Sequence, residues 1–130
     1  MGILDHVSLS VRDYARSKAF YEKALSPLGV KAIMEYGKAC GFGRDGKPDF
    51  WIGEGVTSFQ TPEHVKVITP SHIAFAARSR EEVDAFYRAA LEAGAKDFGP
   101  PGLRPVYHAN YYGAFVLDPD GHNIEAVIHR

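Results

Sequence analysis

The chain has 130 residues, 45% hydrophobic and 24% charged, which indicates one compact globular domain with a substantial core. Its formal net charge of −1, with Lys and Arg spread evenly, argues against nucleic acid or an anionic membrane surface as partner, so we expect small molecules or a second copy of the chain. No apolar run approaches the roughly 20 residues that span a bilayer, and MGILDHVSLS lacks the features of a signal peptide, so a cytoplasmic location is expected.

The first predicted strand is DHVSLSVRD, residues 5–13. Its aliphatic residues alternate with His6, Ser8 and Ser10, so the two sets are expected on opposite faces. The helical segment YARSKAFYEKALSPLG follows and ends at Gly29. Three further strands, VKAIMEY, KACGFGR and PDFWIGE, are separated by turn residues, and Cys40 within them is expected to be buried. The first half therefore has the predicted order βαβββ.

The second half repeats this pattern. SHIAFAARS, residues 71–79, matches the first strand, and His72 follows His6 by 66 residues. A helix is predicted over REEVDAFYRAALEAG, where Val83, Phe86, Tyr87, Ala90 and Leu91 share one stripe. AKDF predicts a short strand, the Pro/Gly-rich FGPPGLRP predicts a loop, and YYGAFVLDPDGHNIEAVIH predicts a hairpin around Asp118–Gly121.

These patterns predict one domain over residues 1–130. Module 1 occupies about residues 1–53 and module 2 about residues 70–130. The segment between them, about residues 54–69, is predicted to be a linker.

Candidate metal ligands lie at equivalent places in the two modules. His6 and His72 each share a strand face with small residues, and Glu125 lies on the face of the last strand opposite its aliphatic residues. A carboxylate among apolar neighbours is costly unless it is paired, hydrogen-bonded or bound to a cation. Two imidazoles and a carboxylate are a common ligand set for a divalent metal with open positions. A structural His–Glu ion-pair cluster is the alternative.

The paired modules, the two strand histidines and the closing LDPDGHNIE at residues 117–125 resemble the vicinal oxygen chelate superfamily. That superfamily includes glyoxalase I, extradiol dioxygenases, fosfomycin-resistance thiol transferases and bleomycin-resistance proteins. The resemblance implies an α+β fold in which two βαβββ modules form an eight-stranded, open, barrel-like cup with the helices outside. It also implies that His6, His72 and Glu125 hold a divalent metal ion, Zn, Ni, Mn or Fe(II). A homodimer is expected, with the site within one chain or across the dimer.

One position departs from the pattern of glyoxalase I. The Glu that supplies a fourth ligand there is matched here by Trp51, and an indole cannot ligate a metal. The resemblance therefore implies three protein ligands and more coordination positions for water or substrate.

The segment RPVYHANYY, residues 104–112, concentrates aromatic and ionisable groups beside the predicted site. Such a loop is a reasonable source of substrate contacts or of a general acid. The predicted catalytic residues are Glu125, Tyr107 and His108, and the predicted substrate-binding residues are Trp51, Arg104, Tyr111 and Phe115. The alternatives are that the tyrosines pack against a partner subunit and that Trp51 belongs to the core.

The function implied by the resemblance is that of a glyoxalase-like, metal-dependent enzyme. Its small substrate would chelate the metal through vicinal oxygens, as in a lactoylglutathione lyase-like isomerase, an epimerase or a dioxygenase. The alternative is a metal-free protein of the bleomycin-resistance type that sequesters a small molecule.

Overall fold

The computed structural model describes residues 2–130, in which one order of elements occurs twice. The first module consists of β1 (Val7–Val11), α1 (Tyr14–Leu25), β2 (Lys31–Tyr36), β3 (Ala39–Gly43) and β4 (Phe50–Glu54). The second consists of β5 (His72–Ala76), α2 (Arg80–Glu92), β6 (Lys96–Leu103), β7 (Tyr112–Leu117) and β8 (Asn123–Ile128). Short 3-10 helices occur at Ser26–Leu28 and His64–Lys66. The predicted α+β fold of two βαβββ modules is confirmed.

The eight strands form two open four-stranded sheets with matching topology. Their strand orders are β1-β4-β3-β2 and β5-β8-β7-β6. In each sheet the first strand of the module pairs in parallel with the last, and the other neighbours are antiparallel. Strands β1 and β5 are consequently edge strands, each with one side unpaired within its own sheet.

Both long helices have capped ends that agree with the sequence. The side chains of Asp13 and Ser79 accept hydrogen bonds from backbone N–H groups in the first turns of α1 and α2. After each helix the chain reverses through a glycine with positive φ, 75° at Gly29 and 104° at Gly94. Neither helix is long and apolar enough to cross a bilayer.

Helix α2 buries a narrower stripe than its sequence predicts. Val83, Phe86 and Ala90 are buried, Tyr87 is half-buried and Leu91 is exposed. The two helices pack against each other, and their buried residues join those of both sheets in one core. The modules therefore share a single apolar interior on the helix side of the sheets, and Cys40 is buried in it as expected.

The segment predicted as a Pro/Gly-rich loop is instead part of β6. Pro100 and Pro101 lack an N–H group and are tolerated in a strand only at an edge or at an irregularity. Strand β6 is the edge of its sheet, and its register with β7 shifts between Asp97 and Gly99 and again between Gly99 and Gly102. The local composition indicated a loop, but the long-range pairing with β7 made the segment a strand.

Candidate functional site

Strand register brings the predicted ligands of the second module onto one face of its sheet. Glu125 in β8 lies opposite Ala74 in β5 and opposite Phe115 in β7, so these three residues form a row. His72 lies two residues before Ala74 and therefore has the same orientation. We call this side, which carries His72, Ala74, Phe115 and Glu125, the site face.

His72 and Glu125 are in direct contact on the site face. Nε2 of His72 lies 3.1 Å from Oε1 of Glu125. The Glu125 side chain is 2% exposed, whereas that of His72 is 47% exposed. The pair therefore combines a buried carboxylate with an imidazole that solvent or a ligand can reach.

The other nitrogen of His72 fixes the orientation of the ring. Nδ1 lies 3.0 Å from the carbonyl oxygen of Asn123, and because a carbonyl only accepts hydrogen bonds, Nδ1 carries a proton. In neutral His72 the lone pair of Nε2 would then face an oxygen of Glu125. Two facing acceptors need a proton or a metal ion between them. The donor set of the pair thus fits a divalent cation, since ligating histidines commonly donate their other N–H in this way.

The second oxygen of Glu125 is held by Tyr111. The Tyr111 hydroxyl donates a short hydrogen bond to Oε2 of Glu125. Burial, followed by the hydrogen bond to Glu125, raises the pKa of Tyr111 above its usual range, so the hydroxyl remains protonated at neutral pH. A Cβ atom at Gly113 would lie 3.0 Å from Oε2 and 3.3 Å from Cε1 of Tyr111, so a glycine there leaves room for both groups.

Tyr107 and His108 lie in the exposed loop that surrounds Tyr111. The Tyr107 ring is 4.8 Å from that of Tyr111. Nδ1 of His108 accepts from the N–H of Asn110, so Nε2 of His108 donates to Nδ1 of His129 at 2.7 Å. The structure brings these two predicted catalytic residues to the rim of the site, one ring away from the Glu125 carboxylate.

Arg104 and Phe115 extend the site face toward β6. The guanidinium of half-buried Arg104 lies 5.5 Å above the Phe115 ring. The Phe115 ring is stacked on that of His72, with 6.1 Å between centroids. Phe115 therefore adjoins His72 of the pair, and Arg104 adjoins Phe115.

His6 lies apart from that pair within the chain. Its side chain is 57% exposed, and Nδ1 lies 2.7 Å from Oδ1 of Asp5. The hydrogen bond with His6, followed by that with Lys47, lowers the pKa of Asp5. Across residues 2–130 the ligand atoms of His6, His72 and Glu125 do not all come within 4.8 Å of one another. Within the chain His6 is thus not gathered with the other two residues, and its completion of the site stays a prediction.

Trp51 occupies the equivalent face of the first sheet. It lies opposite Ser8 in β1 and opposite Gly41 in β3, where a Cβ atom would come within 2.8 Å of its ring. The half-buried indole stacks on Tyr36, with 6.3 Å between centroids and 15° between planes. It forms a flat aromatic surface on the sheet face that carries the serines of β1.

One cluster in the described residues brings three side chains of metal-ligating type close together, and it lies elsewhere. Ligand atoms of Asp118, Asp120 and His122 all fall within 4.8 Å of one another. Asp118 already accepts from Tyr21 and from two backbone N–H groups, and Asp120 accepts from Arg12. These hydrogen bonds explain the cluster as the framework of the turn between β7 and β8.

His122 has a structural role that its position in a turn did not suggest. It is fully buried, and Nε2 donates to the carbonyl of Ser10 at 2.8 Å, which ties the last hairpin to β1. The only sequence signal was its place on the aliphatic side of the alternation. For Gly113 and Asn123, the other contributors that sequence reasoning missed, no comparable signal was present.

A cavity of about 360 Å³ borders the site. It is lined by all of β5 from His72 to Ala76 and, from the first module, by residues that include Val7, Arg44 and Phe50. Of the contacting pair it includes His72 and not Glu125, so it lies beside the pair along β5. The pair itself, with its buried carboxylate, defines the candidate site.

Comparisons with known proteins agree with this architecture. Residues 3–126 match the family model of the Glyoxalase/Bleomycin resistance protein/Dioxygenase superfamily. A glyoxalase/bleomycin resistance protein from Albidiferax ferrireducens T118 is 30% identical, with a TM-score of 0.75 over 97% of this chain and 98% of that one. No curated protein matches the chain.

Two further solved structures share the fold. A candidate glyoxalase from Bacillus halodurans is 29% identical, with a TM-score of 0.68 over 98% of this chain and 96% of that one. The fosfomycin resistance protein FosX from Mesorhizobium loti is 18% identical, with a TM-score of 0.66 over 100% of this chain and 94% of that one. The likeness to FosX concerns the fold alone.

Proposed function

Because the chain belongs to the Glyoxalase/Bleomycin resistance protein/Dioxygenase superfamily, we propose that it is a metal-dependent enzyme. Its substrate is a small molecule with two neighbouring oxygen atoms. The observation that supports this most directly is the contact between Nε2 of His72 and Oε1 of Glu125, combined with the hydrogen bond that protonates Nδ1 of the same ring. An imidazole and a carboxylate so oriented are prepared to share a cation.

Each residue around the His72–Glu125 pair has a separate proposed role. Glu125 supplies negative charge and one free oxygen, while Asn123 orients the His72 ring. Tyr111 holds its proton at Oε2 of Glu125, which leaves Oε1 as the oxygen directed toward the bound group. When bound, a divalent cation (Zn, Ni, Mn or Fe(II)) supplies a Lewis acid that stabilises negative charge developing on a substrate oxygen.

The roles of the other predicted residues follow from their positions. Tyr107 and His108, at the rim, are proposed to exchange protons with substrate or solvent. Phe115 stacks on His72 and is proposed to form one wall of the substrate site. Trp51, on the first sheet, is proposed to form the opposite wall when the first module of a second copy faces the second module of this chain. Isomerisation, epimerisation and dioxygenation are the reaction types that such a site would serve.

The third ligand is proposed to come from His6 of a second copy of the chain. Strands β1 and β5 are both edge strands, and open edges favour pairing between molecules. A twofold dimer that joined these edges would bring the start of β1 near the start of β5, which carries His72. His6 is exposed in the single chain, and because its Nδ1 contacts Asp5, its Nε2 is the nitrogen proposed to take part.

Metal titration of a Glu125→Gln variant tests the proposal. Calorimetry with Mn²⁺, Ni²⁺ and Zn²⁺ should show binding to the parent protein and an affinity at least about 10-fold lower for the variant, since even losses outside the ligand shell cost about 10- to 100-fold. Glu92→Gln, at an exposed position at the end of α2, is the matched control and should bind as the parent does. Negligible heats for the parent and for Glu125→Gln alike would contradict the enzyme and favour a metal-free sequestering protein.

A mixing experiment tests the shared site. Homodimers of His6→Ala and of Glu125→Gln each lack one ligand at every site. A heterodimer of the two variants contains one site that pairs an intact His6 with an intact His72 and Glu125. We expect co-refolding to restore tight metal binding at one site per heterodimer, and light scattering should show a dimer. A monomer, or a mixture that binds no better than its components, would contradict the shared site.

A further inference from the structure

Arg104 is a cation placed on the site face without a carboxylate partner. Among residues 2–130 no Asp or Glu oxygen lies within 4.0 Å of its guanidinium nitrogens, and none of the ion pairs of these residues includes Arg104. Its hydrogen bonds go to backbone carbonyls instead, from one terminal nitrogen to Pro100 at 2.7 Å and from the other to Leu103 at 3.4 Å. These bonds use two of the five N–H groups of the side chain.

The surroundings hold the guanidinium in one place. It lies over the Phe115 ring, a favourable position for a cation. Any Cβ atom at Gly99 or at Gly102 would come within 3.2 Å of a terminal nitrogen of Arg104, so both glycines leave room for it. The position of the half-buried side chain is thus set by a ring, two carbonyls and two glycines, and its remaining N–H groups have no acceptor among residues 2–130.

We propose that Arg104 binds a carboxylate of the substrate and thereby selects an anionic substrate over a neutral one. This inference rests on the proposed function, because it takes the site face as the face that receives the substrate. The planar fork of arginine N–H groups matches the two oxygens of a carboxylate. Partial burial strengthens the interaction because water competes for it less.

The spacing on the site face narrows the substrate further. The Phe115 ring contacts both Arg104 and His72, and its strand β7 lies between β6, which Arg104 follows, and the strands that carry Glu125 and His72. A ligand that places its vicinal oxygens at the His72–Glu125 pair must therefore extend along the site face past Phe115 to bring its carboxylate to Arg104. The substrate class is a small molecule with two neighbouring oxygen atoms at one end and a carboxylate at the far end of a flat or extended body.

Two isosteric probes test this selectivity. The compounds 3,4-dihydroxybenzoate and 3,4-dihydroxybenzamide offer the same neighbouring oxygens and differ in the charge at the far end. Binding of each would be measured by calorimetry to the parent protein, Arg104→Gln and Arg88→Gln, with and without Mn²⁺. Arg88 is an exposed arginine of α2 and provides the matched control.

We expect the parent and Arg88→Gln to bind the benzoate at least 10-fold more tightly than the benzamide, and Arg104→Gln to lose that preference while its Mn²⁺ affinity and benzamide affinity stay unchanged. A parent without preference, a preference that survives in Arg104→Gln, or failure of the parent to bind either probe would each overturn the proposal. A preference that depends on Arg104 in a protein that binds no metal would support the carboxylate site and contradict the proposed metal-dependent enzyme. Normal metal binding without any preference for the benzoate would contradict the carboxylate site and support the proposed metal-dependent enzyme.

Discussion

The hydroxyl of Tyr111 donates a hydrogen bond to Glu125, whose side chain is only 2% exposed. Removing that donor leaves an oxygen of a buried carboxylate without its partner. Tyr111→Phe should therefore lower the free energy of unfolding by about 1.5 to 3 kcal/mol, the usual range for a hydrogen bond to a charged group. Urea denaturation at neutral pH measures the change. Tyr107→Phe is the control, because Tyr107 is exposed and its hydroxyl makes no hydrogen bond among the described residues. An equal loss of unfolding free energy in both variants would contradict a stabilising role for the Tyr111–Glu125 hydrogen bond.

Gly113→Ala should disturb the same oxygen of this carboxylate by steric contact. The added Cβ atom would lie 3.0 Å from Oε2 of Glu125, closer than ordinary van der Waals contact, so the carboxylate must shift. We expect a loss of about 1 to 3 kcal/mol in unfolding free energy, as for other overpacked sites. Gly53→Ala is the matched strand variant, because its Cβ atom would meet nothing closer than 3.9 Å. Thermal melts that rank the two variants equally would refute the steric argument.

Glu54 gives the fold a predictable dependence on pH. Its carboxylate accepts from the backbone N–H of Tyr14 at 2.8 Å and pairs with Lys38, and these contacts, in that order, lower its pKa. A lowered pKa in the folded state stabilises the fold above the ordinary glutamate pKa, and this contribution disappears as the pH falls through the folded value. The urea midpoint of the parent should thus fall more steeply between pH 5 and about pH 3 than that of Glu54→Gln.

The control for this pH dependence is Glu92→Gln, at an exposed position whose carboxylate has no ion-pair partner among residues 2–130. Its pH profile should run parallel to that of the parent. Coincident slopes for all three proteins would show that Glu54 contributes nothing to acid unfolding.

The buried imidazole of His122 should matter more for stability than any exposed histidine. His122→Ala removes a hydrogen bond to the Ser10 carbonyl and leaves a cavity where the hairpin meets β1. We expect a loss of about 2 to 4 kcal/mol from these two effects together. His64→Ala, in the exposed 3-10 helix, should stay within about 0.5 kcal/mol of the parent. Chemical denaturation of the two variants side by side decides whether this link between modules is needed.

The repeat at His6 and His72 was enough to predict the order of elements, because each module carries its own alternation and its own helix. Period-2 alternation also placed Glu125 on the face of His72, and register confirmed this. These features are local: a few residues of pattern decide which side of a strand a side chain occupies.

The features that the sequence did not reveal depend on contacts between distant segments. The prolines of β6 indicated a loop until pairing with β7 was known. His122 donates a hydrogen bond to Ser10, 112 residues earlier, and no local pattern specifies such a partner. The separation of His6 from His72 and Glu125 depends on how two modules pack, which their individual patterns leave open.

The two consecutive prolines of β6 also limit how these molecules can associate. Strand β6 forms the outer edge of the second sheet and pairs with β7 on its inner side. Pro100 and Pro101 have no backbone N–H group to donate to a strand on either of these sides. Because alternate residues of a strand direct their N–H groups to opposite sides, the prolines remove one donor from the middle of this outer edge, which disfavours growth of the sheet there into a fibre. The opposite edge, β5, contains no proline, so it keeps its N–H groups for pairing, while the carbonyl of Ala76 at its end accepts from Arg44. Association by strand pairing at this sheet is therefore directed to one edge, which favours a closed pair of molecules over an open chain of them.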